Sequence, residues 1–269
     1  MKKLSARRRH PLAALVVLLF ALAATGGLYA ALAPAPKAQA DDSSQSLAIE
    51  QGKKLYSVGC ASCHGASGQG SHNGPTLVGV GSAAVDFQVG TGRMPAQQPG
   101  PQVVKKKNIY TQAQIDQLAA YIASLGPGPS TPTKDQYSPA DADVAHGGEL
   151  FRTNCSQCHN FVGKGGALTH GKFAPSLKGV SAKHIYEAMQ TGPQNMPSFP
   201  DTTMPSKDKA AIIAYLNAVD TAKSPNPGGF TLGSLGPVSE GLFAWVFGLG
   251  ILIAVSIWVA ARTTKAKKS

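Results

Sequence analysis

Hydrophobic and polar positions divide the chain into two apolar ends and a polar middle. Leu12 to Ala33 is a run of 22 residues without a charge, and Leu242 to Ala261 is another of 20. Each is long enough for a helix to cross a hydrocarbon layer of about 30 Å. Between them, apolar positions are sparse and recur at helical spacing. Ile115, Leu118, Ile122 and Leu125 form one stripe; Ile212, Ile213, Leu216 and Val219 form a second. Thr111 with Gln114 makes a capping box ahead of the first stripe, and Gly126 stands where a helix C-cap belongs. Ser206 reads as the N-cap of the second, with Asp208 in its first turn. The pattern predicts an all-α protein.

The middle is also a repeat, at an offset of 95 residues. Gly52, Leu55 and Tyr56 stand eight, five and four residues before Cys60, and Gly147, Leu150 and Phe151 stand likewise before Cys155. This spacing predicts a helix with Leu and the aromatic on one face. Further on, Gly74-Pro75-Thr76-Leu77-Val78-Gly79-Val80 matches Ala174-Pro175-Ser176-Leu177-Lys178-Gly179-Val180. Thr91-Gly92, leading to Met94-Pro95, matches Thr191-Gly192, leading to Met196-Pro197. Each unit is then helix, cysteine motif, Pro loop, Met loop and helix, in roughly 80 residues, a length that buries little surface by itself.

Charge sharpens the membrane reading. Of 25 Lys and Arg, six lie in residues 1–40 and four in 262–269, where there is no acid, leaving 15 basic against 14 acidic residues in 41–261. The near-neutral middle excludes nucleic-acid binding, which needs a basic patch on the folded part. The basic ends flank membrane segments, and the excess of positive charge predicts a cytoplasmic C-terminus with 41–240 outside. Ala38-Gln39-Ala40 before Asp41-Asp42 is a signal-peptidase pattern, so residues 1–40 read equally as a cleaved signal peptide or a retained anchor.

Four cysteines carry the chemistry: Cys60-Ala61-Ser62-Cys63-His64 and Cys155-Ser156-Gln157-Cys158-His159. C-x-x-C-H is the attachment signal for covalent haem c. Cysteines at i and i+3 share one face of a helical turn, so both sulfurs reach the two vinyl groups of one porphyrin. The next residue, His, swings under the ring toward the iron. Zinc held by two C-x-x-C pairs, or a redox dithiol, are the rival readings. Neither needs a His directly after both pairs.

With the Pro and Met loops and the closing helix, this order resembles class I cytochrome c, twice over, across about 47–127 and 140–222. The resemblance implies axial iron ligation by His64 with Met94 and by His159 with Met196. It gives the Pro75 and Pro175 carbonyls the role of holding the imidazoles. Met94 is the one Met of its half after the motif. The second half has three; Met189 reads as packing within Ile185–Gln190, and Met204-Pro205 is the rival of Met196. His72, His170 and His184 read as loop or surface residues.

The whole architecture is similar to a narrower family, the dihaem cytochrome c subunit of the cytochrome bc1 (bcc) complex of high-GC Gram-positive bacteria. It comprises a signal or anchor at 1–40, cytochrome c domains at 47–127 and 140–222, linkers at 128–139 and 223–239, a transmembrane helix at 240–262 and a basic cytoplasmic tail at 263–269. The resemblance implies two haem c groups in a quinol–cytochrome c reductase. Electrons would pass from menaquinol through a Rieske iron–sulfur subunit, beside a cytochrome b subunit, to a haem-copper oxidase. A dihaem subunit of a haem-copper oxidase and a dihaem redox enzyme are the alternatives. Lys105-Lys106-Lys107, after the Pro/Gly/Gln-rich insertion Gln97 to Val104, reads either as a docking patch for an acidic partner or as a solvated loop. The Pro-rich linkers read as semi-stiff or flexible.

Overall fold

The computed structural model describes residues 11–32, 38–98, 100, 102–221 and 237–266. The basic start, Pro34 and Pro36, most of the second linker and the last three residues of the tail lie outside these.

Residues Met1–Leu47 form one unit. Its helix α1 (Pro11–Leu32) contains the first apolar run as far as Leu32. Within it, Leu12–Tyr29 is long and apolar enough to cross a membrane, and none of that window is buried. A second helix, α2 (Ala38–Gly59), begins in this unit.

Residues Ala48–Ser269 form the other unit. In its first half the end of α2 leads to α3 (Ala61–His64), α4 (Gly81–Gly90) and α5 (Gln112–Ser124). The Gly-Leu-aromatic spacing is explained where α2 crosses α5. A Cβ on Gly52 would stand 1.9 Å from the Gln117 carbonyl oxygen, so only glycine permits the approach. One turn later, the buried Tyr56 ring lies 5.1 Å from that of Tyr121. The capping box on α5 forms as predicted, with Thr111 and Gln114 bonded reciprocally.

The second half repeats the scheme with α7 (Val144–Asn154), α8 (Ser156–His159), α9 (Ala182–Thr191) and α10 (Ser206–Thr221). A Cβ on Gly147 would stand 1.9 Å from the Ala211 carbonyl oxygen, and the Phe151 and Tyr215 rings are 5.5 Å apart. One expectation fails. Ser206 is the first residue of α10 itself, and its hydroxyl is 2.7 Å from that of the buried Tyr186. The side chain is spent across the core rather than on a cap.

Between the cysteine motif and the Pro loop the second half is five residues longer, the offset changing from 95 at the cysteines to 100 at Pro75 and Pro175. In the second half the extra length makes a small antiparallel hairpin, β1 (Gly166–Ala167) with β2 (Phe173–Ala174). Its turn runs through Thr169–Gly171, with His170 and Gly171 at positive φ.

The halves are joined by helix α4 packed on its counterpart α9. Two reciprocal amide contacts add to this. Gln102 Nε2 donates to the Phe173 carbonyl (2.7 Å) while its Oε1 accepts from Phe173 N–H (2.9 Å). Gln194 does the same with Val103, at 2.9 and 3.2 Å. The hairpin and the first-half insertion are thus docked on one another. The first linker is pinned as well. Ala83 N–H bonds Pro129 O, Thr131 N–H bonds the Ser82 hydroxyl, and a short helix, α6 (Lys134–Tyr137), puts Tyr137 against the second core.

The last helix, α11 (Pro237–Ala266), contains the second apolar run. Val238–Arg262 is long and apolar enough to cross a membrane, and none of it is buried. Near its end the Arg262 guanidinium stands 4.3 Å from the centre of the Trp258 ring.

Candidate functional site

Each C-x-x-C-H motif is one turn of helix at the end of its leading helix. Cys63 N–H and His64 N–H both bond the Cys60 carbonyl, at 3.1 and 3.0 Å. Cys158 and His159 bond the Cys155 carbonyl in the same way, at 3.2 and 2.9 Å. All four cysteines are free thiols. Burial, helped by the neighbouring sulfur, pushes the Cys60 and Cys155 thiols up to about 11.

The imidazoles are held identically. His64 Nδ1 lies 2.8 Å from the Pro75 carbonyl oxygen, and His159 Nδ1 lies 3.0 Å from that of Pro175. With Nδ1–H donating to a carbonyl, the Nε2 lone pair is free for a metal. Burial also depresses the His159 pKa, favouring the neutral ring that ligation requires. The return of each Pro loop is fixed by matching backbone bonds. Gly70 N–H bonds His64 O and Gly165 N–H bonds His159 O, both at 2.8 Å. Both glycines have positive φ, and a Cβ on either would meet backbone of the Pro segment, at 2.7 Å for Gly70 and 2.4 Å for Gly165. The loop can therefore lie flat under the imidazole.

In the first half, Met94 packs against the core cluster around Tyr56, Ile115 and Leu118. In the second, a cavity of about 630 Å³ is lined by Cys155, Cys158, His159, Pro175, Met189 and Met196. That volume falls in the range of cofactor sites, about 300–1,000 Å³. Met204 is not among the lining residues; it is buried in the core beside Ile212 and Ile213. The thiols, the free imidazole edge and the apolar walls fit a covalently held haem.

Part of the second cavity wall comes from the first half: Phe87, Thr91, Arg93 and the segment Gln102 to Lys105. The Arg93 guanidinium stands 4.8 Å from the centre of the Phe87 ring and donates to the Thr91 hydroxyl at 2.7 Å. Burial lowers its pKa. Sequence reasoning passed over Arg93, because its position follows from packing between halves. It also placed His184 on the surface. His184 lies instead in α9, part-buried and edge-on to Phe87 at 6.2 Å. Lys106 does not present a free docking charge; its ammonium bonds the carbonyls of Arg93 (3.2 Å) and Pro95.

Comparison with known proteins gives the class. Residues 49–126 match the family model for cytochrome c, and residues 142–216 match that for cytochrome c oxidase, cbb3-type, subunit III. With the helical fold and the two motifs, these define a c-type cytochrome of two cytochrome c domains. The chain is 44% identical to the cytochrome bc1 complex cytochrome c subunit of Mycobacterium tuberculosis, covering 96% of this chain and 93% of that one. It is equally identical, at 44%, to the subunit of the same name from Corynebacterium efficiens, covering 97% and 94%. A cbb3-type cytochrome c oxidase subunit CcoP from an Azospirillum species is 29% identical over 56% of this chain and 50% of its own. The chain belongs to the family of cytochrome bc1 complex cytochrome c subunits. It is a membrane-anchored, haem c-binding electron-transfer subunit.

Proposed function

We propose that the chain carries two haem c groups and passes electrons, one at a time, from a Rieske iron–sulfur subunit to a haem-copper oxidase. The reaction they serve is the oxidation of menaquinol beside a cytochrome b subunit. Cys60 with Cys63, and Cys155 with Cys158, form the thioether links. His64 with Met94, and His159 with Met196, would hold the iron. The haem domains occupy the outer face of the membrane and the C-terminus is cytoplasmic. The domains correspond to 47–127 and 140–222.

When bound, haem c supplies a one-electron iron couple. The residues set how it behaves. Each Pro carbonyl fixes the tautomer and tilt of its imidazole, and so the basicity of the Nε2 that faces the iron. A thioether opposite the imidazole raises the reduction potential relative to two imidazoles. With a His and a Met to hold each iron, the site would leave substrate no place to bind, and the chemistry the group would supply is outer-sphere electron transfer. Support for Met196 comes from its place in the wall of the cavity that also holds Cys155, Cys158 and His159, where Met204 has none.

The observation that carries this reading is the duplicated contact of Nδ1 with a Pro carbonyl, at 2.8 and 3.0 Å, each beside a free thiol pair. The test is to purify the chain gently from membranes, weigh it intact and identify what travels with it. Two covalent haems per chain, with a cytochrome b and a Rieske protein in the same fraction, are expected. One haem per chain, or co-purification with oxidase subunits alone, would overturn it.

A further inference from the structure

Helices α4 and α9 bury a polar cluster between the two halves. Asp86 comes from α4; Lys183, His184 and Glu187 come from α9. Asp86 is 2% exposed and Glu187 is 0% exposed. One ligand atom from each of Asp86, His184 and Glu187 can be chosen so that all three lie within 4.8 Å of one another.

The cluster is short of positive charge and of donors. Lys183 bonds Asp86 Oδ2 and stands 3.9 Å from Glu187 Oε1. Two buried carboxylates against one part-exposed ammonium leave a net charge of −1. Asp86 Oδ1 and both oxygens of Glu187 have no hydrogen-bond partner. Buried carboxylate oxygens without donors are costly and uncommon. Burial, then the neighbouring Asp86, pushes the Glu187 carboxyl up to about 9. A proton there would cancel the charge and let Glu187 donate to Asp86, leaving one Glu187 oxygen without a donor. A divalent cation held by one atom from each of Asp86, His184 and Glu187 would offset the charge and engage one oxygen of each carboxylate.

The remaining ligand is already of the right form. His184 Nε2 is 4.0 Å from Glu187 Oε2; burial lowers the His184 pKa, Asp86 opposes this, and Lys183, Lys105 and Arg93 lower it further. A neutral imidazole with two carboxylates is a donor set for zinc-like transition metals; magnesium and calcium prefer oxygen alone. Three protein ligands leave the fourth tetrahedral position to water.

We propose that Asp86, His184 and Glu187 form a binding site for a zinc-class divalent cation that clasps the two cytochrome c halves together. The site shares no residue with the motif or Met ligands, so it stands whether or not the proposed haem ligation does. Its ligands come from both halves, and a cation there holds α4 to α9.

The test uses the full-length, haem-loaded chain in detergent, without a histidine tag, stripped with a chelator and dialysed against zinc chloride. Elemental analysis gives zinc per chain, and thermal melting is followed with and without zinc. Glu187→Gln is near-isosteric, and His184→Asn changes a residue whose side chain is 24% exposed, so both should fold. The wild type should bind one zinc more than either variant and melt higher with zinc. Each variant should lose at least tenfold in affinity and lose the zinc-induced rise; Glu187→Gln, outside the lining of the second cavity, should do so with haem spectra unchanged. Equal zinc uptake by wild type and variants, or a wild-type melting point indifferent to zinc, would overturn the site and leave a carboxyl pair sharing a proton.

Discussion

Replacing Gly147 by Ala tests the helix crossing on which each half is built. In an open helix this change is favourable by about 0.5–1 kcal/mol, because Gly has the greater backbone freedom to lose. Here the added Cβ would lie 1.9 Å from Ala211 O, 2.3 Å from Ala211 C and 2.9 Å from Ile212 N. An ordinary carbon–oxygen contact is about 3.3 Å or more, so α7 must retreat from α10 by over an ångström. The obstruction is backbone and cannot rotate aside. Overpacking costs about 1–3 kcal/mol, and the absence of any side-chain escape favours the upper end. After subtracting the helix gain, roughly 2 kcal/mol should be lost, about 10 °C in Tm for a domain of this size. Retreat would also loosen the Phe151–Tyr215 ring pair one turn on. The assay is thermal and denaturant unfolding of the haem-loaded chain, read by circular dichroism and haem absorbance. Gly52→Ala, which meets Gln117 O at 1.9 Å, should behave alike. Gly148→Ala meets only side chains, Arg152 Nη1 and the Tyr215 ring at 3.0 Å, and should change stability by less than about 1 kcal/mol. If Gly147→Ala stabilises the protein, the close crossing is wrong.

Met94→Ala and Met196→Ala should each lower the potential of one haem and open it to carbon monoxide, seen by redox titration and ligand-binding spectra; six-coordinate, unchanged haems in Met196→Ala would remove that ligand assignment. Met204→Ala should leave both haem spectra alone and cost about 2–5 kcal/mol as a buried truncation, checked by denaturant unfolding. Cys60→Ser should leave a single thioether and one unreacted vinyl at the first site, and the pyridine haemochrome spectrum should show one of the two haems shifted. Arg93→Gln removes a positive charge from the second cavity wall. A unit charge within about 10 Å at an effective dielectric near 20 is worth on the order of 1–2 kcal/mol, so the second haem should fall by tens of millivolts while the first keeps its methionine band.

The legible parts of the fold were those written in local periodicity. The stripe from Ile115 to Leu125 with its Thr111 cap, the two uncharged terminal runs and the glycine–aromatic spacing each became the element they implied. These signals lie within one helix or at one crossing, and short-range sterics decide them. The duplicated motif also placed each imidazole one loop away from its proline, where the structure has them in contact. The joint between the halves was not legible. Gln102 meets Phe173 across 71 residues and Gln194 meets Val103 across 91, through side-chain amides in segments with no periodic pattern. Asp86, His184 and Glu187 are unremarkable in sequence; only the packing of α4 on α9 converts them into a buried cluster. Ser206 and Lys106 were misread for a related reason. Each has a local role by residue type, and a more distant partner took the side chain instead.

Arg93 and Met94 are neighbours in the chain, yet Arg93 faces the second cavity while Met94 packs into the first core. A single amide plane is therefore a party wall between the second cavity and the first core. Any strain that tugs the sulfur on one side must also displace the guanidinium on the other. The pair cannot be tuned like two separate dials, and selection acting on either compartment inherits consequences in its neighbour.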